Sequence, residues 1–370
     1  MRETGGCLKV KGIVLYCIRT NLAEVQSDMR RSGSDGESLL KFKATVFNGS
    51  NLLSSWGPSG TDPCDGDVSA PSVFRTRMMS SWQVLYCFNY STAGWEVSDL
   101  VLSDLVSSDV SALSELTKLQ NLYLNNMMSS GPLPDVGKME TLRTLDLSGN
   151  RFNGSLPQRF PSSLVWIFLD NKSLSGDVRD TNLFTLPSLK TLDLSENSLS
   201  GDLSSTNFSL PNLTQLYINK NNLTGTFPDM GGLQNLSSFD ISQNGFEGPL
   251  PSGFTNLSQL RFCNISFNRF SGRFYVPLHA AYGLSLDLSN NRFTYEILAD
   301  IGTSNFTSVR KLYLGDNNLQ GDASILSALN NSCPNLEVLD LRNCGLSRSI
   351  DVFANQTTPF LKTLDLSGIL

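Results

Sequence analysis

From Leu119 to the end of the chain, apolar residues return in a fixed cadence. LRTLDLSGNRFNGSLP (142–157), LTQLYINKNNLTGTFP (213–228) and LSSFDISQNGFEGPLP (236–251) are near-copies of one pattern. Counted from the first apolar residue, copies begin at Leu119, Leu142, Leu164, Leu189, Leu213, Leu236, Leu260, Gly283, Val309, Leu336 and Leu361, with steps of 22 to 27 residues. In each L-x-L the two leucines share one face of a short strand, and the residue between them turns to solvent. Glycine recurs as Gly131, Gly154, Gly176, Gly201, Gly225, Gly248, Gly272 and Gly321, where a tight turn with positive φ is expected.

A period near 24 residues with L-x-x-L-x-L-x-x-N is the mark of a leucine-rich repeat. The Asn at the eighth step recurs as Asn150, Asn197, Asn221, Asn244, Asn268, Asn291 and Asn317. Its carboxamide both donates and accepts, so stacked copies satisfy backbone groups where the chain leaves the strand. Met127, Lys172 and Cys344 replace it in three copies. Phe152, Phe246, Phe270 and Phe293 fall between strand and glycine and are expected to stack as an internal spine. One copy cannot cover its own apolar face, so the copies stack. The expected fold is an α/β-type leucine-rich repeat solenoid, a curved right-handed superhelix with a parallel concave β-sheet, occupying 96–370.

Upstream, SDGESLLKFKATVF reads as a capped amphipathic helix, with Ser34 and Glu37 at capping-box spacing. Residues 34–95 are therefore expected to form a small helical N-terminal cap. Residues 1–33 differ from the rest. Lys9 and Lys11 precede the short apolar stretch Gly12–Ile18, which fits either a secretory leader or an irregular tail. The chain stops in LDLSGIL, inside the eleventh copy, and so reads as a truncated array.

The N-x-L-x-G-x-L-P tail, LLSSWGPSGTDPC and SSWQVLYC resemble the plant extracellular leucine-rich repeat family, from about residue 34 to the end. The resemblance implies an ectodomain of the kind found in receptor-like kinases, receptor-like proteins and polygalacturonase-inhibiting proteins. It also implies a disulfide between the cap cysteines, which map to Cys64 and Cys87. DGDVSAPSVFRTRMM departs from the family pattern by lengthening the segment between them. No island of several tens of residues interrupts the array, so the steroid-binding insertion of brassinosteroid receptors is missing. The Arg-x-Arg pair that anchors a peptide carboxylate in several hormone receptors is also missing from the array, since Arg75 and Arg77 lie in the cap.

Composition narrows the function further. A net charge of −6 and a pI near 5.0 exclude a polyanion-binding surface, so no nucleic acid is expected as partner. No run of about 20 apolar residues provides a membrane span. The single histidine, His279, excludes most histidine-based catalysis, and no cysteine spacing fits a metal site, so no metal and no cofactor are expected. N-glycosylation sequons begin at Asn48, Asn89, Asn153, Asn171, Asn207, Asn212, Asn222, Asn235, Asn256, Asn264, Asn305, Asn330 and Asn355, which points to an exported, glycosylated chain.

The mid-strand residues alternate Asp with Tyr, Phe or Asn. Exposed aromatics with polar neighbours suit peptide or protein recognition. Tyr123, Trp166, Phe168 and Tyr217 form the expected band on the concave face, extended by Arg261, Phe262, Arg310, Lys311 and Tyr313. The expected partner is a peptide, protein or glycan, together with a co-receptor. Two alternatives stand beside this reading: a secreted inhibitor of wall-degrading enzymes, and a glycan-active enzyme. For the enzyme, Asp residues two strands apart would lie about 10 Å from one another, within the range of an inverting glycosidase pair.

Overall fold

The computed structural model describes the strands Lys9–Val10, Ile13–Val14, Ser72–Met78, Ser81–Ser91 and Gly94–Val101. It then describes residues 110–368, except 171–172, 275–276, 278–279, 303–305, 323–328, 330 and 348–359. The expected cap helix, Cys64, and the sequons at Asn48, Asn171, Asn305, Asn330 and Asn355 lie outside the described residues. So do the side chains of Cys87 and Asn89. The chain divides into two compact units, Met1–Leu164 and Val165–Leu370.

In the first unit, Ser72–Met78 and Ser81–Ser91 pair antiparallel, with Val73 opposite Tyr86 and Arg75 opposite Val84. Ser81–Ser91 continues antiparallel onto Gly94–Val101. The direction then changes: Asp99, Leu100 and Val101 pair in parallel with Asn121, Leu122 and Tyr123, which pair in turn with Thr144, Leu145 and Asp146. The departing cap segment thus contains a strand, and the repeat ladder begins one copy earlier than Leu119. The sequence carries the missed copy as Val97-x-x-Leu100-x-Leu102. Leu100, Leu122 and Leu145 are buried side by side as its inward row.

The second unit stacks nine strands in parallel: Trp166–Phe168, Thr191–Asp193, Gln215–Tyr217, Ser238–Asp240, Phe262–Asn264, Leu284–Asp287, Val309–Tyr313, Val338–Asp340 and Thr363–Asp365. Register is in step throughout, apart from a shift between Leu284 and Ser285. A second parallel sheet runs through five of these copies, at Leu174–Asp177, Ser198–Asp202, Asn222–Thr226, Gly245–Gly248 and Arg269–Phe270. The short copies return through single turns of 3-10 helix such as Ser252–Asn256. The 26-residue copy starting at Gly283 instead holds a true α-helix, Tyr295–Gly302, which buries Ile297, Leu298 and Ile301.

Between the two sheets the aromatic core is continuous. Ring centroids step from Phe184 to Phe208 (4.4 Å), Phe227 (5.5 Å), Phe246 (5.4 Å) and Phe270 (6.1 Å). Of the expected spine, Phe246 and Phe270 stack on one another, and Phe184, Phe208 and Phe227 join them from the return segments. Phe293 is also fully buried in this unit, and Phe152 is fully buried in the first.

The ladder asparagines join neighbouring copies by a repeated exchange. Asn268 Oδ1 accepts from Phe246 N (3.0 Å), while its Nδ2 donates to Ile241 O (3.0 Å) and Ile265 O (3.1 Å). Asn197, Asn221, Asn244, Asn291 and Asn317 do the same in their own copies. In the first unit Asn150 accepts from Met127 N and Ser129 N and donates to Leu124 O and Leu147 O. The residue before each of these asparagines adopts positive φ, as at Lys220 (54°), Gln243 (53°) and Phe267 (53°). Gly225, at φ 87°, is required for a second reason: a Cβ there would run into the Asp202 carboxylate.

Cys344 keeps half of this exchange. Its thiol donates to Leu314 O (3.2 Å), but sulfur offers little to Leu319 N–H, whose counterpart Phe293 N is bound by Asn317. Cys263, Cys333 and Cys344 are all buried and free. Burial raises all three thiols, Cys333 to about 12 and Cys344 to about 11, so they are protonated and poor nucleophiles at neutral pH.

Three outcomes follow from this packing. Asn268→Ala, which strands buried backbone groups on both copies, should destabilise the chain by about 3 kcal/mol in urea titration. Cys344→Asn supplies the missing acceptor and should raise stability by about 1 kcal/mol in the same assay. The raised thiols favour the folded state while the unfolded thiols remain protonated. Stability should therefore decline as pH rises from near 8.5 toward 11–12, and a Cys333→Ala/Cys344→Ser variant should show a shallower decline.

Candidate functional site

Strand register sorts the ladder face of the second unit into rows. The inward row is Ile167, Leu192, Leu216, Phe239, Cys263, Leu286 and Leu312, all fully buried. On one side of it runs Trp166, Thr191, Gln215, Ser238, Phe262, Ser285 and Lys311; on the other, Phe168, Asp193, Tyr217, Asp240, Asn264, Asp287 and Tyr313. Trp166 is 40% exposed and Phe262 38%, whereas Phe168, Tyr217 and Tyr313 are half-buried. Phe168 and Tyr217 stand two strands apart, about 10 Å, and Trp166 and Phe262 four strands apart, about 19 Å. Tyr217 Oη donates to Ser238 Oγ (2.8 Å), which fixes its ring across the neighbouring strand.

Tyr123 belongs to the first unit. It is half-buried between Asp99 and Asp146 on the ladder, and burial followed by the two carboxylates raises its hydroxyl pKa against the pull of Thr144.

The mid-strand acids have a job within the fold. Asp193 Oδ1 accepts from both Ser195 N (3.0 Å) and Ser195 Oγ (2.6 Å). Asp240 holds Ser242 and Asp287 holds Ser289 in the same way, as Asp146 holds Ser148 in the first unit. Burial raises the Asp240 carboxyl, and its bonds to Ser242 and Asn264 pull it back down. These carboxylates close the turn that leaves the strand. The described residues contain no acid, cysteine or histidine cluster able to hold a metal. Asn264 takes the same role, accepting from Ser266 N (3.0 Å) and Oγ (2.7 Å), and donates to Asp240 Oδ2 (3.3 Å). The sequon asparagine on the ladder face is thus also a turn cap.

The basic residues divide. Arg310 lies over the Tyr282 ring (4.4 Å) and pairs with Glu337 (2.7 Å), which also holds Lys362 (2.8 Å). Its charge is engaged within the fold. Arg261 and Lys311 are exposed and flank Phe262 without an ion pair among the described residues. Four exposed aromatics among the described residues were not singled out by sequence: Tyr282 (63%) beside Arg310, Phe267 (52%) at a positive-φ position, Tyr295 (46%) and Phe360 (50%). The signal for Phe267 was an apolar residue where other copies have Glu196, Lys220 or Gln243.

Residues 32–66 match the family model of the leucine rich repeat N-terminal domain, and 141–163, 187–232, 235–257 and 307–355 match those of leucine rich repeats. Pollen receptor-like kinase 1 of Arabidopsis thaliana is 33% identical over 134 residues, covering 36% of this chain and 17% of that protein. The chain therefore spans a small part of the curated relatives it matches. The ectodomain of the Arabidopsis receptor kinase HAESA, solved with a peptide hormone ligand, superposes with a TM-score of 0.51 at 25% identity, over 70% of this chain and 47% of that one. A plant ice-binding protein shares the fold at 22% identity, with a TM-score of 0.55 over 85% of this chain and 99% of that one. Repeat register, asparagine exchange and these matches together show a leucine-rich repeat chain similar to the plant receptor-like kinases and receptor-like proteins.

Proposed function

We propose that the chain is the ligand-recognition domain of a plant receptor-like kinase or receptor-like protein, acting at the cell surface. The observation that carries this reading is the exposure of Trp166 and Phe262 on a ladder whose inward row is fully buried. Aromatic side chains already held by a rigid sheet bury large area at little entropic cost on binding. A peptide laid across the strands from Trp166 to Phe262 would cover about 19 Å, which about six extended residues span. Phe168 and Tyr217 border the same path, and Arg261 and Lys311 flank its far end. The HAESA ectodomain, whose structure holds a peptide hormone, supports a peptide as ligand class. A co-receptor completing the bound state and N-glycosylation at exposed sequons belong to the same reading. The aspartates serve as turn caps, and the comparisons favour the receptor over the inhibitor.

Panning a random peptide library on the immobilised chain tests the proposal. Selected peptides should lose at least about tenfold in affinity on Trp166→Ala or Phe168→Ala chains with unchanged circular dichroism. Thr226→Ala, on the second sheet and outside any sequon, should bind as the parent does. Undiminished capture by both aromatic variants removes this site.

A further inference from the structure

The return segments of two adjacent copies, TNLFTLP (181–187) and TNFSLP (206–211), enclose a groove of 270 Å³. One wall is Arg179, Thr181, Phe184 and Thr185; the other is Ser205 and Thr206, with Asn207 at the rim. Ligand pockets for drug-sized molecules start at about 300 Å³, so the groove suits a smaller body, about one sugar ring. Asn207 opens the sequon Asn-Phe-Ser and is exposed.

The wall chemistry is specific. Thr185 Oγ1 donates to Asn182 O (2.9 Å) and keeps its lone pairs for an incoming donor, while Thr181 Oγ1 donates to Val178 O (2.8 Å), accepts from Leu183 N (3.3 Å) and retains one lone pair. Arg179 binds Asp177 through Nε–H and Nη2–H, which leaves further N–H donors for a ligand oxygen. Phe184, only 3% exposed and stacked on Phe208, provides an apolar floor. An N-acetylhexosamine matches all three: hydroxyls that donate, an acetamide carbonyl that accepts, and a C–H face for the ring.

Asn207 also differs from two sequons that follow it, Asn212 and Asn235. Asn212 Nδ2 donates to Pro187 O (2.8 Å) and Asn235 Nδ2 to Pro211 O (2.9 Å), so each joins two copies. The Asn207 carboxamide makes no such bond among the described residues. Ser209 N, held by Phe184 O (2.9 Å), fixes the rim against the preceding copy.

We propose that Asn207 carries an N-linked glycan whose first N-acetylglucosamine lies back in this groove and seals the junction between the two copies. The inference rests on the exported, glycosylated reading above. In the reaction, Asn207 Nδ2 bonds to the anomeric carbon of a lipid-pyrophosphate oligosaccharide. The lipid pyrophosphate leaves and one Nδ2 proton is released. The sugar then works as a covalently tethered piece of the core.

The test uses the full chain secreted from cells that add high-mannose glycans, with glycopeptide mass spectrometry at each sequon and hydrogen exchange over 179–186. Asn207 should be occupied. Trimming every glycan to one N-acetylglucosamine should leave exchange over 179–186 unchanged, whereas Asn207→Gln and Ser209→Ala should each speed it several-fold. Asn222→Gln should not. Occupancy elsewhere with Asn207 bare, or an occupied Asn207 whose loss leaves exchange unaltered, overturns the groove proposal alone. A secreted chain with no occupied sequon overturns it together with the glycosylated reading.

Discussion

The fold depends on one exchange: a buried carboxamide that accepts from the backbone of one copy and donates to carbonyls of two. Asn268 takes Phe246 N–H and gives to Ile241 O and Ile265 O. Where the chain leaves a ladder strand it has turned from its neighbour, and its peptide groups lie among leucines with no water at hand. Leaving such groups unpaired costs about 1–3 kcal/mol each. Asparagine is the short side chain with an acceptor and a two-proton donor on one planar group, so it satisfies them all in one register. The positive φ of the preceding residue, as at Gln243 and Asn290, aims the carboxamide inward. Hydrophobic stacking supplies the driving force, and the asparagines determine that each copy sits one strand along from the last and nowhere else.

That rigid spacing makes the outward rows usable. Recognition needs side chains whose positions are fixed before the ligand arrives, since ordering them afterwards consumes binding energy. Trp166 and Phe262 project from strands whose inward neighbours, Ile167 and Cys263, are clamped in the core. The charges beside them are partly committed elsewhere: Arg310, Glu337 and Lys362 form their own chain of ion pairs, in which Arg310 and Glu337 are half-buried and Lys362 is exposed. Arg261 and Lys311 remain available beside Phe262.

How much of this could be read from sequence depends on how local the determinant was. The leucine cadence and the ladder asparagines were legible because each is repeated and each has one structural use. The strand through Leu100 escaped because Val97 replaces the leading leucine and Trp95 and Glu96 disguise the copy. The helix Tyr295–Gly302 escaped because two additional residues in a copy reveal extra length without saying what it becomes. The engagement of Arg310 could not be seen, since Glu337 lies one copy away and Tyr282 precedes the strand. The aspartates showed their alternation but not their partners. The tell was Ser two residues on, at Ser195, Ser242 and Ser289.

That last pairing explains why acids and aromatics alternate on the face. Where the mid-strand residue is Asp193, Asp240 or Asp287, the carboxylate holds the serine two residues later and closes the turn. Where it is Phe168, Tyr217 or Tyr313, no such side chain is available, and the residue two places on is Asp170, Asn219 or Gly315. Asx and glycine make turns by their own local chemistry or by backbone freedom. The two solutions use the same position differently. An acid there serves the fold, and replacing it disturbs the turn. An aromatic there is released from that duty, so its identity is set by what it faces in solvent. The copies between these aromatics, which cap their turns with Asp193 or with Asp240, Asn264 and Asp287, set Phe168 two strands from Tyr217 and Tyr217 four strands from Tyr313.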